Sequence, residues 1–282
     1  MKLTIEHDTT LLEALALLAP GSSKTAMRSW LKEGRVFVDG DTQKIASSPI
    51  AKGQIISLGA KLKRTDEGEI TILYEDKHIV VINKPVGMLS VSTAFEKGNT
   101  AHGFLKKNYK PKKVFVVHRL DQDTSGVMLF ALTEDAYLEL KKMFEKHDLE
   151  RAYTAIIEGK LDQSAGTWKS YLYEDGNYVV HETDDPLKGK LAVTHYTVLK
   201  SSSKFSLLHL RLETGKKNQI RVHCQSAGHS IVGDKKYGAT SNSLKRLCLH
   251  AHYLSFMHPI TGQKMRFEAP LPEEFKRLDV GS

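Results

Sequence analysis

The chain has 282 residues, 40% of them hydrophobic, so it can bury a sizeable core, has room for two domains and is not globally disordered. Lys and Arg outnumber Asp and Glu by 41 to 33, giving a net charge of +8 that suits a polyanionic partner such as a nucleic acid. Two cysteines exclude a disulfide framework, and the sequence shows neither a signal-peptide pattern nor an apolar run of membrane-spanning length. We therefore expect a cytoplasmic protein with no membrane partner.

Residues 1–60 are predicted to form a small unit of their own. Leucines at helical spacing indicate a first helix, which ends at Pro20-Gly21. Ser23 is placed to cap a second helix over 24–33, and a closing strand is expected over 55–58. The apolar positions of the first helix are Leu11, Leu12, Leu15 and Leu18.

A basic face runs along the second predicted helix. Lys24, Arg28 and Lys32 recur every four residues and therefore lie on one side of it. Residues 35–38 predict a short strand, and Asp39-Gly40 predicts a tight turn after it. This small unit thus combines helices with strands and carries a positively charged surface.

Residues 70–282 are predicted to form a second, larger domain, preceded by a linker over 61–69, where charged residues follow no apolar period. Helices are predicted over 134–147 and 218–227. Buried strands are predicted over 79–82, 114–117, 127–130, 152–157, 193–199, 205–212, 247–256 and 265–267. Many strands with few helices are typical of an α+β fold on a largely antiparallel sheet.

The stretch 118–126, His-Arg-Leu-Asp-Gln-Asp-Thr-Ser-Gly, places a polar loop between two apolar strands. Loops on a rigid scaffold often carry active-site groups, and this one brings Asp121 and Asp123 close to a histidine and an arginine. The same residue types are also typical of an ordinary turn. From these residues alone, a functional site and a structural turn both remain open.

Two later segments also carry candidate side chains. After Gly215 breaks a strand, Ile220 would pack on the inner face of the next helix and leave Arg221 pointing elsewhere, where its guanidinium could clamp a carboxylate or a phosphate. A solvated, basic helix start is the alternative for that segment. Tyr153 is either a core aromatic or a ring on which a nucleic-acid base stacks.

The remaining candidates are a lysine run and a set of soft metal ligands. Five lysines surround Tyr109 within residues 106–113 and suit either a phosphate backbone or a solvated face. The possible metal ligands lack the paired spacing of a structural zinc site, so no metal is expected. These ligands are His223, Cys224, Cys248, His250 and His252.

Taken together, these segments resemble the RluA/RluD-type family of pseudouridine synthases, and the resemblance extends over essentially the whole chain. Its most specific part is His-Arg-Leu-Asp at 118–121, followed by Thr-Ser-Gly at 124–126. The other similar segments are 73–76, 83–87, 151–153, 214–215, 219–223, 233–234 and 237–238. Residues 1–60 are similar to the S-four-like RNA-binding domain, which is named after a ribosomal protein.

The resemblance implies an enzyme that isomerises uridine to pseudouridine in RNA without a cofactor. In the family pattern Asp121 is the catalytic carboxylate, and Arg221 is its ion-pair partner. Tyr153 lies against the target base, and the family pattern also allows it to assist removal of the proton from C5. Ile220 forms an apolar wall of the pocket, and Arg119 fills the space that the flipped base leaves in the stack. The RNA-binding residues implied for the N-terminal domain are Lys24, Arg28, Lys32 and Arg35.

The implied fold is an α+β catalytic domain over 70–282, built on a largely antiparallel mixed sheet, with a small α/β RNA-binding domain over 1–60. Lys216 and Asn218 depart from the family, which usually has Arg and His there, and Lys24 stands where Arg is common. We expect these departures to affect contacts with RNA and not catalysis. Large-subunit ribosomal RNA is the expected substrate, transfer RNA the second, and the protein is expected to act as a monomer. The alternatives are a non-catalytic ribosome-assembly factor that binds RNA and a metal-dependent RNA hydrolase.

Overall fold

The structure, a computed structural model, describes residues 2–32, 35–59, 70–92 and 100–281, without the side chains of Lys32 and Thr42. The predicted linker over 61–69 lies outside the described residues. The first described elements are β1 (Lys2–Thr4), β2 (Thr9–Thr10), α1 (Leu11–Leu18), α2 (Lys24–Lys32), β3 (Val36–Val38), β4 (Asp41–Thr42), β5 (Pro49–Ile50) and β6 (Ile55–Leu58).

Local sequence signals explain where these first elements begin and end. Thr10 and Glu13 form a reciprocal capping box at the start of α1. The Ser23 hydroxyl accepts from the Ala26 N–H at 3.2 Å, so the predicted cap of α2 is confirmed. Asp39 and Gly40 both have positive φ, 50° and 92°, as the predicted tight turn requires.

The two helices pack on one small antiparallel sheet with the strand order β1-β6-β3-β4. Its core consists of the apolar face of α1, Met27 and Leu31 from α2, and Val36 and Ile56 from the sheet. The predicted strands over 35–38 and 55–58 are confirmed, whereas β1, β2, β4 and β5 were not predicted. Each of these four strands has only two or three residues, too few to show a period of two.

A much larger sheet dominates the rest of the chain. Its elements are β7 (Thr71–Glu75), β8 (Ile79–Lys84), α3 (Ala101–Asn108), β9 (Phe115–Val116), β10 (Ser125–Ala131), α4 (Glu134–Lys146), β11 (Glu150–Glu158), β12 (Ala165–Glu174), β13 (Val180–Thr183), β14 (Lys190–Ser201), β15 (Phe205–Leu212), α5 (Gln219–Ser226), β16 (Leu249–Met257) and β17 (Lys264–Glu268), with short 3-10 turns at Lys235–Tyr237 and Glu273–Arg277.

The large sheet has eleven strands, with the main order β13-β12-β14-β15-β11-β16-β10-β8-β7. Its described pairings are antiparallel except for the parallel contact between β10 and β16. The predicted α+β fold on a largely antiparallel mixed sheet is therefore confirmed. Among the described residues, no helix is long and apolar enough to cross a membrane.

Sequence patterns missed four elements of this larger part: β7, α3, β12 and β13. In β12 burial alternates but the residue types do not, since Gly166 and Ser170 lie on the more buried face and Tyr171 and Tyr173 on the other. Helix α3 carries lysines that resemble a solvated run. The predicted strand over 114–117 shortens to two residues. Part of the lysine run lies in α3, and the Tyr109 hydroxyl within it donates to Glu75, so that ring is tied to the sheet.

The small sheet contacts the large one through aromatic side chains and one ion pair. Phe37 lies edge-on to Tyr74 and to Phe267, with ring centroids 6.0 and 6.2 Å apart. Asp41 pairs with Arg266 beside them. These contacts join β3 and β4 to β7 and β17.

Asp76 closes the tight turn between β7 and β8. Its Oδ1 accepts the backbone N–H groups of His78 and Ile79 at 2.7 and 2.8 Å, and its Oδ2 lies 3.0 Å from the Tyr74 hydroxyl and 2.9 Å from His258 Nε2. Burial opposes ionisation of this carboxyl, but the hydrogen bonds outweigh it and lower its pKa from 3.8 to about 2. One carboxylate therefore joins β7, β8 and the end of β16.

We expect Asp76→Ala to lower the free energy of unfolding by about 2–3 kcal/mol at neutral pH, because buried donors lose a charged acceptor. Because the folded-state pKa is depressed, this contribution is present above about pH 4 and is lost as the pH falls toward 2. Urea unfolding of parent and variant across that range measures it. Asp162→Ala, at an exposed position, is the control, and a difference between parent and Asp76→Ala that does not change with pH would contradict the prediction.

Candidate active site

A cleft of about 480 Å³ lies between the loop that precedes β10 and the turn that precedes α5. All five residues that the resemblance assigns to catalysis and base handling line this one cleft. They are Arg119, Asp121, Tyr153, Ile220 and Arg221. Segments distant in the sequence thus meet at one site, although the sequence alone left each of them open to a purely structural role.

The centre of the cleft is an arginine held between two carboxylates. Arg221 makes two bonds of 2.7 Å to Asp234, from Nε to Oδ2 and from Nη2 to Oδ1. Its remaining Nη1 lies 3.5 Å from Asp121 Oδ2. The Asp234 side chain is fully buried, Arg221 is 10% exposed and Asp121 is 30% exposed. Asp234 therefore fixes the guanidinium, and the guanidinium presents one N–H edge to the carboxylate that faces the cleft.

Asn218 forms a second contact with the same carboxylate. With its amide NH₂ toward Asp121, it donates to Oδ2 at 2.7 Å, and its carbonyl oxygen accepts from the Tyr237 hydroxyl at 2.9 Å. The opposite orientation would set the amide oxygen against a carboxylate. Tyr237 is buried and lies beneath Arg221, whose guanidinium carbon is 4.9 Å from the ring centroid.

The position of Asn218 corrects one expectation from the sequence. The departure from the family at this position was expected to concern RNA contacts and not catalysis. Instead Asn218 directly contacts Asp121, so the substitution changes the hydrogen bonding of the predicted catalytic carboxylate. Asn218 has a φ of 54°, in the left-handed region that asparagine tolerates better than most residues.

Lys84 and Ser90 hold the loop that carries Asp121 in place through bonds to its backbone. Lys84 is fully buried, and its ammonium donates to the carbonyl oxygens of Pro85, Met88 and Gln122 at 3.0, 2.8 and 3.0 Å. Burial lowers the pKa of Lys84 to about 7 against the opposing charges of Asp123 and Asp121.

Ser90 adds two bonds, donating to the Leu120 carbonyl at 2.6 Å and accepting the Leu120 N–H at 3.1 Å. The residues on either side of Asp121 are thereby tied to the end of β8 and to the segment that follows it.

Helix α5 is buried on every side through most of its length. The whole run from Gln219 to Cys224 is buried, which excludes the solvated helix start that was the alternative. Gln219 donates to the Val193 carbonyl and the Thr194 hydroxyl, both at 3.0 Å, and accepts from the Thr214 hydroxyl at 2.8 Å. These bonds fix the turn that leads to Arg221.

Two further rings shape the cleft walls. His118 stacks on Phe144 with centroids 4.6 Å apart and accepts the Leu129 N–H at 2.9 Å. Burial, together with the charge of Arg151, lowers the pKa of His118 to about 3, so the ring is neutral at physiological pH. Burial raises the pKa of Tyr153, with Arg151 opposing and Asp121 adding to the rise, so its phenol stays protonated.

The predicted RNA-binding residues of the N-terminal unit do not line this cleft. Lys24 and Arg28 are exposed on α2, while the side chain of Lys32 lies outside the described residues. Arg35 is only 7% exposed and donates to the Gly59 carbonyl through Nε at 3.3 Å and Nη2 at 3.1 Å. Its burial argues against the surface contact with RNA that the resemblance implies.

The soft ligands considered in the sequence are dispersed. Among the residues that the structure describes, no group of three or more His, Cys, Asp or Glu side chains could hold a metal ion. Both cysteines, Cys224 and Cys248, are buried as free thiols. His250 contacts the Ser125 hydroxyl at 2.8 Å, and His252 contacts the Thr154 hydroxyl at 3.0 Å.

Asp234, Asn218 and Lys84 are the site residues to which sequence reasoning assigned no such role. The motif containing Asp234 was visible, but only Asp121 was considered as a partner for Arg221. The sequence did offer a signal for a second partner. The guanidinium of Arg221 has five N–H donors, and one carboxylate rarely accepts bonds from all of them.

Comparison with known proteins points to one family. The family model described as RNA pseudouridylate synthase matches residues 78–226. The chain is 36% identical over 268 residues to the uncharacterized RNA pseudouridine synthase YhcT of Bacillus subtilis, covering 91% of this chain and 88% of that protein. It is 33% identical over 291 residues to the ribosomal large subunit pseudouridine synthase D of Vibrio cholerae, covering 95% and 89%.

A solved structure has a similar fold. Human RNA pseudouridylate synthase domain containing 4 superposes with a TM-score of 0.62 at 25% identity, covering 75% of this chain and 94% of that one. The matches agree with one another in family and in fold.

Proposed function

The chain belongs to the RNA pseudouridylate synthase family, in its RluA/RluD-type branch, and we propose that it converts uridines of large-subunit ribosomal RNA to pseudouridine with Asp121 as the catalytic carboxylate. The observation that carries the assignment of Asp121 is its place in the cleft, where Arg221 and Asn218 both offer donors to it. The relatives named for the large ribosomal subunit, one of which matches 95% of this chain, support the choice of RNA.

The proposed reaction is an isomerisation with no net redox change. The bond between uracil N1 and ribose C1′ breaks, the ring turns within the cleft, and C5 bonds to C1′. The proton of C5 is lost and N1 gains one, so the atoms balance. Asp121 acts on C1′, as a nucleophile or as the counter-charge of the developing sugar cation, the two roles that carboxylates have in glycosidic-bond cleavage.

The other cleft residues receive roles that fit their chemistry. Tyr153 stacks against the uracil, and its raised pKa favours this role over that of a proton acceptor. Ile220, which is 4% exposed, closes an apolar wall. Arg119 is exposed at the cleft and is free to enter the space that the flipped nucleotide vacates.

We further propose that residues 1–60 form an S-four-like RNA-binding domain and residues 70–282 the catalytic domain. The exposed cations Lys24 and Arg28 on α2 support the first assignment. Contacts between such cations and phosphates raise the affinity for RNA without distinguishing its sequence. In this proposal the N-terminal domain binds the RNA and the cleft selects the uridine.

The substrate proposal is tested by mapping pseudouridines in ribosomal and transfer RNA from cells that produce the parent protein, no protein, or the Asp121→Asn variant. We expect at least one uridine of large-subunit ribosomal RNA to remain unmodified in the last two. Loss of pseudouridine from transfer RNA alone would contradict the ribosomal assignment. Unchanged maps for both RNAs would contradict the proposed function itself.

A further inference from the structure

Arg151 is a cation that lines the catalytic cleft, and it has no polar partner among the described residues. It lies two residues before Tyr153 on β11, and both side chains line the cleft. Among the described residues, none makes a hydrogen bond or ion pair with Arg151, and its Nε is buried without an acceptor. Buried guanidinium groups normally have a carboxylate or carbonyl partner, so this unmet donor points to a ligand that binds here.

The guanidinium of Arg151 is held in place by contacts that leave its donors free. Its central carbon lies 5.9 Å from the Phe144 ring centroid, and that ring in turn stacks on His118. On the other side the guanidinium lies close against the Gly215 turn, where an added Cβ would be 2.5 Å from Nη1. The side chain is thus positioned in advance, whereas an ordinary surface arginine has to be ordered on binding.

The charges around Arg151 are also positive. Burial lowers the pKa of nearby His147, and the charges of Arg151 and Lys216 lower it further. Burial lowers the pKa of Arg151 as well, and no carboxylate opposes that shift. By contrast, Arg221 on the facing side of the cleft is paired with two carboxylates. Among the described residues, one wall of the cleft therefore holds Arg221, which is paired with carboxylates, and the other holds Arg151 and Lys216, which are in no ion pair.

We propose that Arg151, with Lys216 beside it, binds a backbone phosphate of the RNA strand that delivers the uridine to Asp121. This inference rests on the proposed function in that the ligand is RNA. A phosphate next to a flipped nucleotide must lie at the wall of the pocket that receives the base, and Arg151 lines that wall. The planar donors of a guanidinium match two phosphate oxygens, and Lys216 adds a point charge.

Binding of a short fluorescein-labelled oligouridylate, measured by fluorescence anisotropy over a range of KCl concentrations, tests the proposal on the full chain. Arg151→Met should weaken binding roughly tenfold, since charge-assisted hydrogen bonds are lost. The slope of log affinity against log salt should become shallower by about 0.7, the value for one phosphate contact on a single strand. Arg151→Lys should keep most of the salt slope, because the positive charge remains. It should still bind more weakly than the parent, because the planar pair of guanidinium donors is lost.

Arg211→Met is the matched control, because Arg211 is exposed, lies opposite Ala152 on β15 and does not line the cleft. Thermal melting of each variant shows whether it is folded. An unchanged salt slope in Arg151→Met, even with weaker binding, would assign the contact to a base or to the fold and overturn the proposal. Equal slopes in Arg151→Met and Arg211→Met, or no binding by the parent, would do the same.

The binding measurement requires no turnover, so the two proposals can fail separately. If the parent forms no pseudouridine but Arg151→Met still has a shallower salt slope than the parent, the phosphate site is supported and the proposed reaction is wrong. If pseudouridine forms and the slope is unchanged, the reaction stands and the phosphate site falls.

Discussion

Replacing Asp121 with Asn should abolish pseudouridine formation while leaving RNA binding and folding largely intact. We expect turnover to fall by roughly 10⁴-fold or more, equivalent to about 5 kcal/mol, because an amide can neither attack C1′ nor offset a developing positive charge. Folding should survive because Arg221 keeps both bonds to Asp234. Tritium release from RNA labelled at uridine C5 measures the loss, and anisotropy with the same RNA measures binding.

Asp123→Asn is the matched control for this variant. Asp123 lies in the same loop, is exposed and does not line the cleft, so its replacement removes an equal charge from nearby. It should retain most of the parent activity. Full activity of Asp121→Asn, or an equal loss in both variants, would remove Asp121 from the chemistry.

Arg221→Met should cost both stability and activity, and a second substitution should separate the two. Removing the guanidinium leaves Asp234 as a buried carboxylate without its cation, a change that typically costs about 3–5 kcal/mol. The double variant Arg221→Met/Asp234→Asn removes that stranded charge, and its amide oxygen can still accept the Tyr237 N–H that Asp234 Oδ1 accepts at 3.2 Å. Stability should therefore recover in part, by about 1–3 kcal/mol, whereas turnover should not recover.

Urea unfolding and tritium release on the parent, Arg221→Met and the double variant provide the comparison. If activity returned together with stability, the arginine would serve the fold and not the carboxylate. If the double variant were no more stable than Arg221→Met, the assignment of the buried pair as the source of the loss would be wrong.

Sequence periodicity predicted the helices whose apolar residues recur on one face. Helix α1 has leucines on one face and a Thr10–Glu13 box at its start, and α4 runs from Glu134 to Lys146 within one residue of expectation. Strand β12 could not be predicted in this way, since its more buried face includes Gly166 and Ser170, so burial alternates along it while hydrophobicity does not. Very short strands such as β4 exist only because a longer neighbour pairs with them.

The features of the site likewise divide into those visible as sequence motifs and those that arise only in the folded chain. The loop at 118–126 and the segment at 214–223 were visible as motifs because their residues are contiguous. The contact of Arg221 with Asp234 and that of Asn218 with Asp121 arise only after α5 is buried beside the loop that precedes β10. The unpaired state of Arg151 is harder still to foresee, because it depends on the absence of an acceptor, and a sequence does not show which donors will lack one.

The two bonds between Arg221 and Asp234 have a consequence for the course of the proposed reaction. Whenever Asp121 bonds to the sugar carbon or balances its cation, its negative charge is no longer available to a neighbour. An arginine with no other partner would then be a bare cation, 10% exposed, and would resist that step. Since Asp234 takes no part in the chemistry, the pair stays electrically neutral throughout the cycle. Asp121 therefore faces the dipole of a neutral pair and not a full positive charge. It can lose its negative charge and regain it without leaving an isolated ion in the pocket.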